Sequence, residues 1–190
     1  PAPLPELLSL LRPGDVVTHC FNGRPNCVLD ENGRLLDACR EAQAEGILFD
    51  IGHGAGSFNF DVCRSALDQG MLPDTISTDL HMANVNGPVF DMPTTLSKFL
   101  ALGMSLEETI RRVTVAPARW INSNLTRPIE GLGTLTVGAP GDVVVMHIEQ
   151  GAFEFVDANG NCLAADRRLQ VHHTVRGGRL WGRPYQRPTW

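Results

Sequence analysis

"ILFDIGHGAG", residues Ile47–Gly56, joins an apolar run to a histidine held between glycines. Ile47, Leu48 and Phe49 suit a buried strand. Gly52, Gly54 and Gly56 then end it and strip bulk from around His53. Glycine admits positive φ and lets backbone approach a ligand closely. The stretch therefore reads as a strand that stops at a tight exit with an imidazole at its tip. A packing histidine satisfies the same pattern, so the neighbouring strands decide the matter.

Outward from this stretch the pattern repeats. Upstream, "DVVTHCFNG" is an apolar strand of about six residues that ends in His19 and a polar loop. Downstream, "LPDTISTDL" is a third strand ending in Asp79. Between them, residues 35–45 ("LLDACREAQAE") and "FNFDVCRSALDQG" carry apolar residues at helical spacing and stop at Gly46 and Gly70. Strand, helix, strand, helix, strand at this rhythm predicts parallel strands with crossover helices. The C-terminal ends of such strands share one face, where α/β proteins build their sites. His19, His53 and Asp79 are thereby expected at one mouth. Imidazole nitrogen and carboxylate oxygen both suit a divalent metal such as zinc. Asn22, Arg24 and His81 lie close enough in sequence to reach the same mouth as substrate contacts. Arg24 in particular can hold a carboxylate by a bidentate contact.

The rest of the chain frames this unit. "LPELLSLL" is a short helix stopped by Pro13-Gly14. A helix starts at Pro93-Thr94 and runs to about Leu102. "SLEETIRRV" carries a capping box with Ser105 as N-cap and Glu108 three residues on. "VAPARWIN" is a further helical piece. From about Gly131 the texture changes to short alternating strands, "GTLTVGAPGDVVVMHI" and "HHTVRGGRLW", with "DANGN" as a hairpin turn. His172 and His173 are adjacent on a strand and so point to opposite faces, which makes them structural. His147 reads likewise, and Asp142 closes a turn before its strand.

Composition bounds the function. The 190 residues carry a formal net charge of −5, which argues against nucleic acid as partner. With 43% hydrophobic residues a packed core is feasible. There is no apolar run long enough to span a bilayer, and the start, "PAPLPELLSLLRPGD", is not a signal peptide. Five cysteines without a C-x-x-C pair read as small, buried, reduced thiols of a cytoplasmic protein. Basic residues are 15 arginines and a single lysine, Lys98.

In order, "THCFNG", "FDIGHG", "ISTDLH", "MPTTLSKFLALGMSLEETIRRVTVAPARW" and "GTLTVGAPGDVVVM" resemble the C-terminal half of the amidohydrolase superfamily, closest to its deacetylase metallohydrolases. The resemblance implies the C-terminal part of a distorted (β/α)8 TIM barrel over residues 1–128 and part of a small β-sandwich over residues 129–190. It implies a binuclear site in the complete enzyme, built from a His-x-His on the first strand, a carboxylated lysine on the fourth, histidines on the fifth and sixth, and an aspartate on the eighth. Carried over, His19 is the fifth-strand ligand, His53 the sixth and Asp79 the eighth, with Asp79 also the proton acceptor. The implied activity is metal-dependent removal of an acyl group from a small N-acyl or O-acyl acid.

The chain has no His-x-His, and Lys98 follows Asp79 within a helix. A barrel of this type runs to about 250 residues. The 190 residues are therefore expected to be inactive alone, and to self-associate or bind a partner chain that completes the barrel. A non-catalytic half-barrel acting in assembly is the alternative. A cyclic amidohydrolase like dihydroorotase ranks lower, because "STDLHMANVNGP" lacks that branch's Asp-His-Ala-Pro-His.

Overall fold

The computed structural model describes residues 2–182. Residues 183–190 of the expected second unit lie outside them. The first strands are shorter than their apolar runs. Strand β1 (Val16–Val17) and strand β2 (Leu48–Phe49) pair in parallel, Val16 opposite Leu48 and Val17 opposite Phe49. The third strand is reduced to a parallel bridge between Asp50 and Thr75. It is nonetheless tied to the second by Ile51 N–H to Thr75 O (3.2 Å), His53 N–H to Ser77 O (3.1 Å) and Gly54 N–H to Thr78 O (3.0 Å). Extended backbone stops early because the exits turn left-handed: φ is +61° at His19, +46° at Gly52, +55° at Gly54 and +47° at Asp79.

The buried Asp50 carboxylate laces the three segments together. Thr18 Oγ1 (2.8 Å) and Ser77 Oγ (2.6 Å) donate to its Oδ2, and Thr75 Oγ1 (2.7 Å) donates to its Oδ1. Charge-assisted bonds of this kind are about twice as strong as neutral ones, which suits a join where the ladder itself is short.

Helices α1 (Leu4–Leu8), α2 (Asp37–Ala44) and α3 (Phe60–Asp68) follow the sequence pattern. In α3, Phe60, Cys63 and Ala66 are buried on one face. Asn59 caps its start, accepting from Asp61 N–H and Val62 N–H, both at 3.0 Å. Helix α4 (Met92–Ala101) is capped by Asp91, whose Oδ1 accepts from Thr94 N–H at 2.7 Å. Every residue from Thr94 to Leu100 is buried, Lys98 included. That follows from its position: one side joins the core with Phe99 and Leu100, while Ser97 Oγ accepts Leu169 N–H at 2.8 Å from the antiparallel sheet. Helices α5 (Leu106–Arg111) and α6 (Val115–Asn124) complete the helical part. Ser105 is the N-cap of α5, but Glu108 does not close the box. Its carboxylate goes instead to Arg111 (3.2 Å) and Arg112 (2.8 Å), stronger partners than a backbone N–H.

The expected short strands of the last third are one long hairpin. Strand β3 (Val143–Val156) pairs antiparallel with β4 (Cys162–Arg176), and β5 (Arg179–Leu180) pairs with the end of β4. Residues 131–142 form no strand. A register shift leaves His172 between the paired residues Val171 and His173, and its ring sits 4.4 Å from that of His147. Four of the five cysteines are buried, as expected, and Cys162 is exposed. Burial pushes the Cys39 thiol up to about 12. Among the described residues, no helix is long and apolar enough to cross a membrane.

The "DANGN" turn is where the hairpin meets the α/β part. Asp157 Oδ1 accepts Asn159 N–H (2.8 Å) and Asn161 N–H (2.9 Å) within the turn, while its Oδ2 accepts Phe60 N–H (2.9 Å) at the start of α3. Burial works against this carboxylate, but the Phe60 and Asn161 bonds outweigh it and hold its pKa below the usual range. Stability from Asp157 is therefore present above the ordinary carboxylate pKa and is lost as pH falls through the lower folded value. Asp157→Ala is expected to cost about 2–4 kcal/mol in urea unfolding at pH 7. A change under about 0.5 kcal/mol, the level of an ordinary surface substitution, would show that the turn does not anchor the hairpin.

Candidate active site

The exits of the three strands meet through their glycines. A Cβ on Gly52 would collide with Thr18 Oγ1 and lie 2.6 Å from His19 Nδ1, and a Cβ on Gly54 would lie 2.8 Å from Asp79 Oδ2. The two glycines are thus where His19 and Asp79 are seated, one on each side of His53. His19 and Asp79 themselves adopt positive φ, which costs a non-glycine residue roughly 1–2 kcal/mol each. Such strain persists only where surrounding structure holds it.

The supports are visible. His19 Nδ1–H donates to Gly52 O at 2.6 Å, because a carbonyl can only accept. This fixes the tautomer and leaves Nε2 with its lone pair available, the arrangement typical of a metal-binding histidine. Asn22 Nδ2 donates to His19 O at 2.9 Å, and Asn22 Oδ1 accepts Arg24 N–H at 2.9 Å. Through these two bonds Asn22 shapes the loop that carries Arg24. Asp79 is held by Asn84, a fully buried residue that the sequence pattern does not single out. Asn84 Nδ2 donates to Asp79 O (2.8 Å), and its Oδ1 accepts His81 N–H (2.8 Å). His81 is exposed, and its Nδ1 accepts Ala83 N–H at 3.2 Å. Arg24 is exposed near the glycine loop; its Nη2 would be 3.9 Å from a Cβ on Gly56.

His53 departs from the expectation that it holds a metal beside His19 and Asp79. Its ring is fully buried and stacks at 4.7 Å on Phe58, inside the aromatic cluster with Phe60 and Phe99. Nδ1–H donates to Gly54 O at 2.9 Å, and Nε2 accepts from Lys98 Nζ at 2.7 Å. Both ring nitrogens are engaged by the protein. Among the described residues, no group of three or more His, Cys, Asp or Glu side chains is arranged to hold a metal. The expected spacing over strands five, six and eight is also corrected. It needs a strand between His53 and Asp79, but the second and third segments are direct neighbours joined by the Asp50–Thr75 bridge.

Burial first, and then the Lys98 charge, lower the His53 pKa from 6.5 to about 4. The unfolded chain binds the proton between these values and the folded chain does not, so stability falls as pH drops through that window. His53→Gln is expected to flatten the loss between pH 7 and pH 5, read from urea midpoints. The same slope in both proteins would rule out His53 as its source.

No protein-family model matches the chain. Among curated proteins it is 39% identical to a deacetylase of Enterococcus faecalis over 183 residues, covering 95% of this chain and 48% of that protein. It is 38% identical to a deacetylase of Brucella anthropi, covering 93% of this chain and 42% of the other. Among solved structures, an adenine deaminase superposes with a TM-score of 0.89 at 37% identity, covering 96% of this chain and 49% of that one. A dihydroorotase superposes with a TM-score of 0.83 at 38% identity, covering 95% and 48%. The chain spans about half the length of each. These matches take in the strand exits and the hairpin alike: over about half the length of those proteins the chain is similar to members of the amidohydrolase superfamily, and its curated relatives are named deacetylases.

Proposed function

We propose that the complete protein carrying this chain is a metal-dependent hydrolase that removes the acyl group from a small N-acyl or O-acyl acid. The observation that carries this is the seating of His19 and Asp79 on either side of one glycine turn, in a chain 39% identical to a deacetylase. The residues fit a divalent metal in part. His19 presents Nε2 with its other nitrogen already committed, and Asp79 presents a carboxylate at an exposed strand exit. His53 in its observed position does not fit.

When bound, a divalent metal such as zinc supplies an acidified water and polarises the acyl carbonyl. Asp79 then takes the proton from the attacking water and passes it to the leaving group. His19 is kept oriented by Gly52 O, so no rearrangement is needed as charge develops. In this reading Arg24, exposed beside the glycine loop, meets the acid end of the substrate, and exposed His81 is a second contact at the rim.

Deacetylation, deamination and opening of a cyclic amide are all attacks of water at an sp2 carbon, so the mouth serves the same step in each. Polypeptide beyond these residues, or a partner chain, supplies the remaining ligands. Self-association is consistent with the exposed Leu135 and Val137 and with β3, whose outer edge has no strand partner among the described residues.

In the complete protein, His19→Ala and Asp79→Asn are expected to lower bound metal and reduce hydrolysis of N-acetyl amino acids by at least about 100-fold. Unchanged metal content and rate in both would sink the hydrolase reading. Arg24→Met is expected to raise KM for carboxylate-bearing substrates by about 10- to 100-fold, the loss of one charge-assisted contact. An equal effect on an uncharged ester would remove Arg24 from acid recognition.

A further inference from the structure

Lys98 is the chain's single lysine, and it is fully buried. Its Nζ donates to His53 Nε2 (2.7 Å), to Pro88 O (2.7 Å) and to Val156 O (2.8 Å). Those partners belong to three different parts of the molecule: the glycine turn at the mouth, the loop that follows Asp79, and the end of β3 where the hairpin turns. The His53 ring then hands the anchorage on, through Nδ1–H, to Gly54 O. Gly54 is the residue against which Asp79 lies, and Gly52, one residue before His53, is the acceptor for His19.

We infer that Lys98 and His53 form a buried positioning pair for the hydrolytic site, in which His53 is a strut and not a metal ligand. This rests on the hydrolase reading above. Two arguments favour a strut. Turning Nε2 toward a metal would strip the buried Lys98 ammonium of one acceptor, and taking a hydrogen-bond partner from a buried charge is unfavourable. A dication on that nitrogen would also stand beside the ammonium, like charges at close range in a poorly screened interior. The pair has the geometry of an outer support instead. Through the bond to Gly54 O it fixes the turn from which His19 and Asp79 both take their position.

The test uses the complete protein with His53→Gln, His53→Ala, Lys98→Met and the double variant His53→Ala/Lys98→Met. Glutamine keeps an acceptor for Lys98 and cannot replace an imidazole as ligand. Metal content in His53→Gln is expected to equal that of the parent, while His19→Ala loses metal. His53→Ala and Lys98→Met are each expected to lower kcat by about 10- to 100-fold with KM little changed, the usual cost of losing an outer support. His53→Gln is expected to recover most of that loss, and the double variant to be no worse than the poorer single one.

Loss of metal from His53→Gln would overturn the inference, because His53 would then be a ligand. Strictly additive effects in the double variant, or a parent-like kcat in every variant, would overturn it as well. Where Lys98→Met does not fold, the His53→Gln and His53→Ala comparison still decides. If His19→Ala and Asp79→Asn both keep the parent's metal content and rate, the hydrolase reading fails instead. Non-additivity of the unfolding midpoints, measured on metal-free protein, then judges the pair by itself.

Discussion

One ammonium group holds the separate parts of this molecule in register. Lys98 sits in the middle of a helix whose residues from Thr94 to Leu100 are all buried, and bonds from its ammonium run to a strand exit, a loop and the end of a hairpin. Burying a charge is costly unless it is well paired and hydrogen-bonded. The fold meets that cost with two carbonyls and an imidazole locked into the accepting tautomer. Remove any one of the three segments and the cation loses a partner. The interaction therefore acts less as a source of stability than as a demand that these segments meet in one arrangement.

The site inherits its geometry from that demand. Strands of two residues are too short to define a mouth by their ladder alone. Side chains do the rest: Asp50 gathers three hydroxyls from its two neighbours, Asn84 holds Asp79 and His81, and Asp157 fastens the hairpin to α3. Each is a polar group at least nine-tenths buried that spans two or more segments. The left-handed turns at His19 and Asp79 are affordable because neighbouring groups hold them.

Much of this was legible in the sequence, and the division has a physical basis. Parallel strands, crossover helices and the DANGN turn follow from local periodicity, and the common direction of parallel strands puts the exits that carry His19 and Asp79 on the two glycines of one turn. The roles of His53, Lys98 and Asn84 did not follow. A histidine between glycines at a strand exit looks the same whether its ring turns outward to solvent or inward to a lysine 45 residues away. Lys98 carried a further false cue, since a lysine within a helical stretch ordinarily faces water. The long hairpin was misread as short strands because its two register shifts interrupt the alternation that marks a strand. Cys162 was misread because thiols are usually buried, and this one lies beside an exposed turn.

The scarcity of lysine gives the molecule an intrinsic reporter. With 15 arginines and one lysine, the chain offers a single side-chain amine to acylating reagents, and that amine lies where no reagent can reach it while α4 remains packed. Its modification requires α4 to part from the hairpin and from the glycine turn together. The labelling rate of Lys98 would thus clock the opening of the junction between the two halves, separately from the fraying of either one.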